Sequence, residues 1–161
     1  GPIFDALLDA GDKFGLRLAG YHALDSLRQE KGYRHWGHDI TPADTPLEAG
    51  LGFALSKVKT GYIGHEAIVR QKQSGLKRCL VHIILNNPEP ILLHDEPIWC
   101  GGIVVGSVTS GTFGHTLGCS VGQGYVSSKH PDWAKKLKDG PVEVEISGSR
   151  FAATISLRPF A

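Results

Sequence analysis

The sequence predicts an α+β architecture, with helices in its first half and a small antiparallel β-barrel or sandwich in its second. Three observations lead there. Up to about Ser74, apolar residues recur at helical spacing. After Leu76 the period shortens to two. The second half also breaks into short strand-like runs separated by glycine-rich turns, the pattern of closed or stacked antiparallel sheets.

The elements follow in order. Phe4, Leu7 and Leu8 repeat at helical spacing, and Gly11 closes that segment. A second helix is expected over residues 19–31, with Ala23, Leu24 and Leu27 as its inward stripe and Gly32 as its stop. Thr45-Pro46-Leu47-Glu48 has capping-box spacing with proline at the first helical position, which predicts a short turn of helix. The apolar run "GFAL" at 52–55 reads as a short strand. A third helix runs over 63–72 and ends near Gly75. "RCLVHIILN" is a strand, and "PIWCGGIVVGSVTSG" is a hairpin around Gly101-Gly102. "TLGCSVGQGYV" is a strand whose glycines point to a bulge or a close backbone approach. "PDWAKKL" at 131–137 opens with proline and reads as a short helix. Last, Val142, Val144 and Ile146 alternate with glutamates, Ser147-Gly148-Ser149 turns the chain, and Phe151, Ala153, Ile155 and Leu157 alternate on the way back.

A length of 161 residues suits one domain, or one domain with an appended segment. The net charge of +1 gives no bulk attraction to nucleic acid or to an acidic membrane surface. No apolar run approaches the roughly 20 residues that span a bilayer, and no signal-peptide pattern opens the chain. Cys79, Cys100 and Cys119 are an odd, widely spaced set, expected as reduced thiols in a cytosolic or matrix-like compartment. The chain contains no methionine and opens on Gly1-Pro2, so it is expected to be cut from something larger.

Few motifs carry chemistry. His35, His38 and Asp39 form a possible metal cluster, but the flanking Gly32 and Gly37 disfavour a regular helix and no second ligand pair stands out. Surface or hydrogen-bonded histidines are the simpler reading. Cys119 with His115, or Cys79 with His82, lacks an orienting third group, so the cysteines read as small hydrophobes. The glycines between 101 and 124 match neither a dinucleotide fingerprint nor a phosphate loop. The informative residue is Glu30. It continues the stripe of Leu24 and Leu27 into the last helical turn, where a negative charge opposes the helix dipole and burial carries a desolvation cost. It is either a solvent-facing glutamate paired with Lys31 or Arg34, or a partly buried acceptor for a ligand with two adjacent N–H donors.

Three blocks resemble a known family. "GLRLAGYHALDSLRQEKGYRHWGHDITPADTPLEAGLGFAL", "GYIGHEAI" and "VTSGTFGHTLGCSVGQGYV" resemble, in that order, the folate domain of sarcosine and dimethylglycine dehydrogenases, which also makes up the glycine-cleavage T-protein, an aminomethyltransferase. The likeness runs from about Phe14 to Leu157, and "EKGYRHWG" favours the flavin-linked dehydrogenase branch. It implies that residues 1–74 are the C-terminal piece of a folate-binding domain and 75–161 a Greek-key barrel. It also implies a tetrahydrofolate site in which Glu30 receives the pteridine's amino group and ring N–H, and Lys59 meets the folate tail's carboxylates. His65, where relatives often carry arginine or lysine, and Gly114-His115, in place of Ser-Pro, depart from the pattern.

The family's catalytic aspartate lies upstream of this chain, and the flavin domain further upstream. The resemblance therefore implies a segment that binds no FAD and oxidises nothing alone. Its partners would be the upstream flavin and folate domains and a small-molecule folate, with no nucleic acid and no membrane. The expected compartment is the cytoplasm, or the mitochondrial matrix in a eukaryote. The parent reaction would be flavin oxidation of an N-methyl amine, with the one-carbon unit captured as 5,10-methylenetetrahydrofolate. Two rivals remain: part of a plain T-protein aminomethyltransferase, and a noncatalytic regulatory or interaction subunit with the same fold.

Overall fold

The computed structural model describes residues 1–127 and 140–161, so the short helix expected at 131–137 lies outside the described residues. Helix α1 spans Pro2–Asp12, with proline at its start, where a missing N–H costs nothing, and Asp5 in the first turn, where the dipole favours it. No residue of α1 is buried, and Ile3, Phe4 and Leu7 face outward. Helix α2 spans Tyr21–Glu30. It ends in a Schellman motif: Tyr33 N–H donates to Arg28 O and Gly32 N–H to Gln29 O, satisfying carbonyls the helix leaves orphaned. Gly32 is required there twice over. Its φ is +68°, and a Cβ would sit 2.5 Å from the His82 ring.

The expected helical turn at Thr45 forms. The Thr45 and Glu48 side chains cap each other's backbone N–H groups, and Ala49 N–H returns to Thr45 O. The expected strand at 52–55 does not form. Gly52–Ala54 is a single turn of 3-10 helix, closed by Ala54 N–H on Leu51 O and Leu55 N–H on Gly52 O. An apolar run of four residues makes a strand only where a neighbouring strand accepts its backbone, and this one closes its bonds locally instead. Helix α3 spans His65–Ser74, between two glycines of positive φ, Gly64 and Gly75.

Six strands follow: β1 (Arg78–Leu85), β2 (Pro97–Cys100), β3 (Ile103–Gly114), β4 (Cys119–Ser127), β5 (Val142–Ile146) and β6 (Ser149–Ser156). All pairings are antiparallel, and the order β1-β4-β3-β2-β5-β6 closes through β6 on β1, which decides barrel over sandwich. Because β1 lies beside β4 and not β2, the order is Greek-key, and closure leaves no open edge. Gly101 and Gly102, both at positive φ, make the two-residue turn between β2 and β3.

The barrel is filled by alternating residues. Cys79, Val81, Ile83 and Leu85 point inward from β1, to meet Ile98, Val108, Val126 and Val144. Each such side chain contributes about 1.5–3 kcal/mol by leaving water. Phe151 and Ile155 pack against this core as the alternation predicts, but Leu157 lies beyond β6 and is exposed. The glycines of β3 and β4 allow close approach: a Cβ on Gly106, Gly111 or Gly124 would collide with backbone 1.9–2.5 Å away. Cys79 and Cys119 are free thiols.

Candidate functional site

The helical segment meets the barrel where α2 crosses the β3–β4 hairpin, and it does so through polar side chains. Ser26 Oγ donates to Phe113 O at 2.9 Å. Gln123 Nε2, from β4, donates to Gln29 Oε1 and Tyr33 O, both at 3.2 Å. Glu30 Oε1 accepts the Thr116 N–H at 2.7 Å. The buried residues of α2 are therefore Ser26, Gln29 and Glu30, and the expected inward stripe of Ala23, Leu24 and Leu27 faces outward, with Leu24 55% and Leu27 61% exposed. The reason is chemical. The hairpin presents backbone donors and acceptors and a buried glutamine, which only polar partners satisfy without a desolvation cost. The apolar face of α2 and that of α1 are left open.

Glu30 itself is 5% exposed, so it is neither solvent-facing nor paired with Lys31 or Arg34. Burial pushes its carboxyl up. The Thr116 side chain and backbone, the Leu117 backbone and the charge of His115 outweigh that effect and hold it below its ordinary value of 4.5. The 115–118 turn thus supplies what an anion in a last helical turn otherwise lacks. Gly114 lies directly beneath, where a Cβ would stand 3.1 Å from Glu30 Oε1.

A second polar node lies nearby in the chain. Asp39 is fully buried. Its Oδ2 accepts Arg28 Nη1 at 2.9 Å and His35 N–H at 2.8 Å, and its Oδ1 accepts the Thr109 hydroxyl at 2.6 Å. The β3–β4 register slips between Val108 and Ser110, and this bulge frees Thr109 to reach across. The His35 and His38 rings stack 4.7 Å apart, and among the described residues no cluster of three histidine, cysteine, aspartate or glutamate side chains is placed to hold a metal ion. Thr109, Thr116 and Gln123 carry no cue of their own in the sequence, although all lie inside the block "VTSGTFGHTLGCSVGQGYV".

The other sequence candidates separate. Lys59 is exposed in the segment before α3; its N–H donates to Ser56 Oγ, and its ammonium forms no ion pair among the described residues. His65 opens α3 and meets Tyr62 edge to face. Cys79 points into the barrel core while His82, three residues on, lies on the opposite face of β1, so they form no catalytic pair. Burial pushes the Cys79 thiol up to about 12, as expected of a small hydrophobe. Burial raises Cys119 as well, and its Sγ lies 3.6 Å from Leu117 O. No helix among the described residues is long and apolar enough to cross a membrane.

Residues 1–59 match the GCVT N-terminal domain, and residues 78–161 match the glycine cleavage T-protein C-terminal barrel domain. The chain is 45% identical to 4-methylaminobutanoate oxidase (formaldehyde-forming) of Paenarthrobacter nicotinovorans, over 98% of its own length and 19% of that protein. It is 40% identical to mitochondrial sarcosine dehydrogenase of Mus musculus, over 99% of its length and 18% of that protein. The chain thus spans about a fifth of these relatives. The glycine cleavage system aminomethyltransferase T from Bartonella henselae superposes with a TM-score of 0.82 at 31% identity, covering 99% of this chain and 43% of that one.

Proposed function

The chain belongs to the glycine cleavage T-protein family, and from that premise we propose that it is the C-terminal part of the tetrahydrofolate-binding unit of a flavin-dependent dehydrogenase of the sarcosine/dimethylglycine type. The observation that carries this reading is end-to-end similarity, at 40–45% identity, to amine oxidoreductases of which the chain is only about a fifth. The open apolar face of α1 and α2 supports it, since that face has the character of a surface covered by the rest of a folate domain. In this reading residues 1–74 complete that domain and 75–161 form the barrel that closes it. The enzyme resides in the cytoplasm, or in the mitochondrial matrix of a eukaryote.

Tetrahydrofolate would supply the nucleophilic amine that captures a one-carbon unit. Glu30 suits the donor edge of a pteridine in kind, because an ionised carboxylate only accepts and has about four lone-pair sites. Thr116 and Leu117 take part of that capacity. Its first role is therefore to hold the 115–118 turn against α2, and the remaining lone pairs receive the ligand's paired N–H groups. Lys59 offers an exposed ammonium to the tail carboxylates. FAD belongs to a preceding domain and is not bound by this segment.

Calorimetry with tetrahydrofolate on the full-length protein tests this. Binding should weaken about tenfold or more in Glu30→Ala, a loss of roughly 1.4 kcal/mol or more, and a few-fold in Lys59→Ala. Equal affinity in the wild type and Glu30→Ala would remove Glu30 from the site. No binding by the wild type would overturn the folate reading. A second reading is favoured by the relative whose name states that it forms formaldehyde: an oxidase that releases the one-carbon unit free. Turnover with tetrahydrofolate present separates the two, through 5,10-methylenetetrahydrofolate or free formaldehyde as product.

A further inference from the structure

The contact between the helical segment and the barrel contains a buried histidine. His82 projects from β1 to the outside of the barrel, yet it is only 2% exposed because the end of α2 and the C-terminal tail cover it. A Cβ placed on Gly32 would fall 2.5 Å from His82 Cε1 and 2.6 Å from Pro159 Cγ, so the ring, Gly32 and Pro159 meet in one tight contact. Neither ring nitrogen has a hydrogen-bond partner, and two more unpartnered buried atoms, Gln29 Nε2 and Gln123 Oε1, belong to the same contact. Gln123 is the cross-strand partner of His82, and it donates to Gln29 across the contact.

We propose that this contact is an acid-sensitive latch in which protonation of His82 releases α2 and the segment after it from a barrel that stays folded. The imidazole has no acceptor for a second N–H, so an imidazolium would be buried with an unsatisfied charge. The charges that bear on it both come from the segment after α2: Arg34 opposes protonation and Asp39 favours it. Asp39 is already engaged by Arg28, the His35 N–H and Thr109. The residues that strand pairing and the Gly32 contact set beside the ring are uncharged: Gln123 from β4, Ser156 from β6, Gly32 after α2, and Pro159. Burial and Arg34 push the imidazole from its ordinary 6.5 down to about 4. A group that is neutral when covered and protonated when released favours release as pH falls through that window.

The size of the effect follows. With those two values, opening of the contact should become about 30-fold more favourable at pH 5 than at pH 7.5. The range from 7.5 to 5 stays above the depressed carboxyl of Glu30, so Glu30 does not contribute. Hydrogen–deuterium exchange on the full-length protein, read on peptides and corrected for intrinsic rates, tests the proposal. Peptides of α2 should gain about 30-fold in opening, while those of β2 and β5 hold their protection. His82→Gln and His82→Phe should each abolish the pH response of α2; two variants guard against one failing to fold. A wild-type α2 indifferent to pH, an equal rise in β2 and β5, or a variant that keeps the wild-type response would each overturn it.

Discussion

Replacing Glu30 by alanine removes the acceptor of the Thr116 N–H, of the Thr116 hydroxyl and of the Leu117 N–H. Hydrogen bonds to charged groups are worth about 1.5–3 kcal/mol each, and unpaired buried donors cost a similar amount. The Thr116 side of the contact is exposed, so water replaces part of what is lost. Counting two backbone donors at the lower end, Glu30→Ala should destabilise the 161-residue chain by about 2–4 kcal/mol. Glu30→Gln keeps one acceptor and should cost about half as much. The charge also fixes the pH dependence. A carboxyl whose value is lowered by folding contributes stability above its unfolded value, near 4.5, and loses it as pH falls through the folded value. Urea unfolding of the wild type should therefore show midpoints falling below pH 4.5, with a shallower fall in both variants. A change under about 0.5 kcal/mol in Glu30→Ala, the size of an ordinary surface substitution, would refute the clamp, and so would an unchanged acid profile.

Three further outcomes follow from the geometry. Asp39→Ala removes the acceptor shared by Arg28, the His35 N–H and the Thr109 hydroxyl, although Arg28 keeps its pair with Asp25, and should cost about 3–5 kcal/mol, while Thr109→Val, which removes one donor to that carboxylate, should cost about 1.5–3 kcal/mol by the same unfolding measurement. Gly111→Ala would place a Cβ 2.5 Å from the Leu92 backbone, and a loss of about 1–3 kcal/mol, or failure to fold, is expected in thermal melts. Leu24→Glu with Leu27→Glu should shift the 161-residue chain by no more than about 0.5 kcal/mol. The same pair should lower the melting temperature of the full-length protein by several degrees, because there the open face is covered. Equal effects in both would argue against a covered face.

The sequence was most legible where one physical rule acts alone. The β5–β6 hairpin declares itself through strict alternation and a Ser-Gly turn, and β1 and β4 through apolar runs bounded by turn residues. The glycines of β3 and β4 signalled close backbone approach before any neighbour was known. The tip of α2 was half legible. An anion in a last turn announces a partner, and the helix stop at Gly32 is plain, but the partner Thr116 lies 86 residues away. His82 gave only one cue, a polar residue inside an apolar strand.

By itself, then, the sequence determined most element types and the α+β class, because periodicity and turn chemistry are local, while three blocks of it carried the family resemblance. Closure into a barrel and the 3-10 turn at 52–54 came only with the tertiary structure. Nor did the sequence determine which side of α2 meets the barrel. An amphipathic helix states that its two faces differ, and says nothing about which neighbour takes which face. Tertiary structure decided that the hairpin's backbone groups and Gln123 take Ser26, Gln29 and Glu30, since buried polar groups must be paired. It likewise decided that Asp39 serves Arg28, the His35 N–H and Thr109, because a buried charge goes where donors converge, and convergence across 70 residues exists only once the chain is folded.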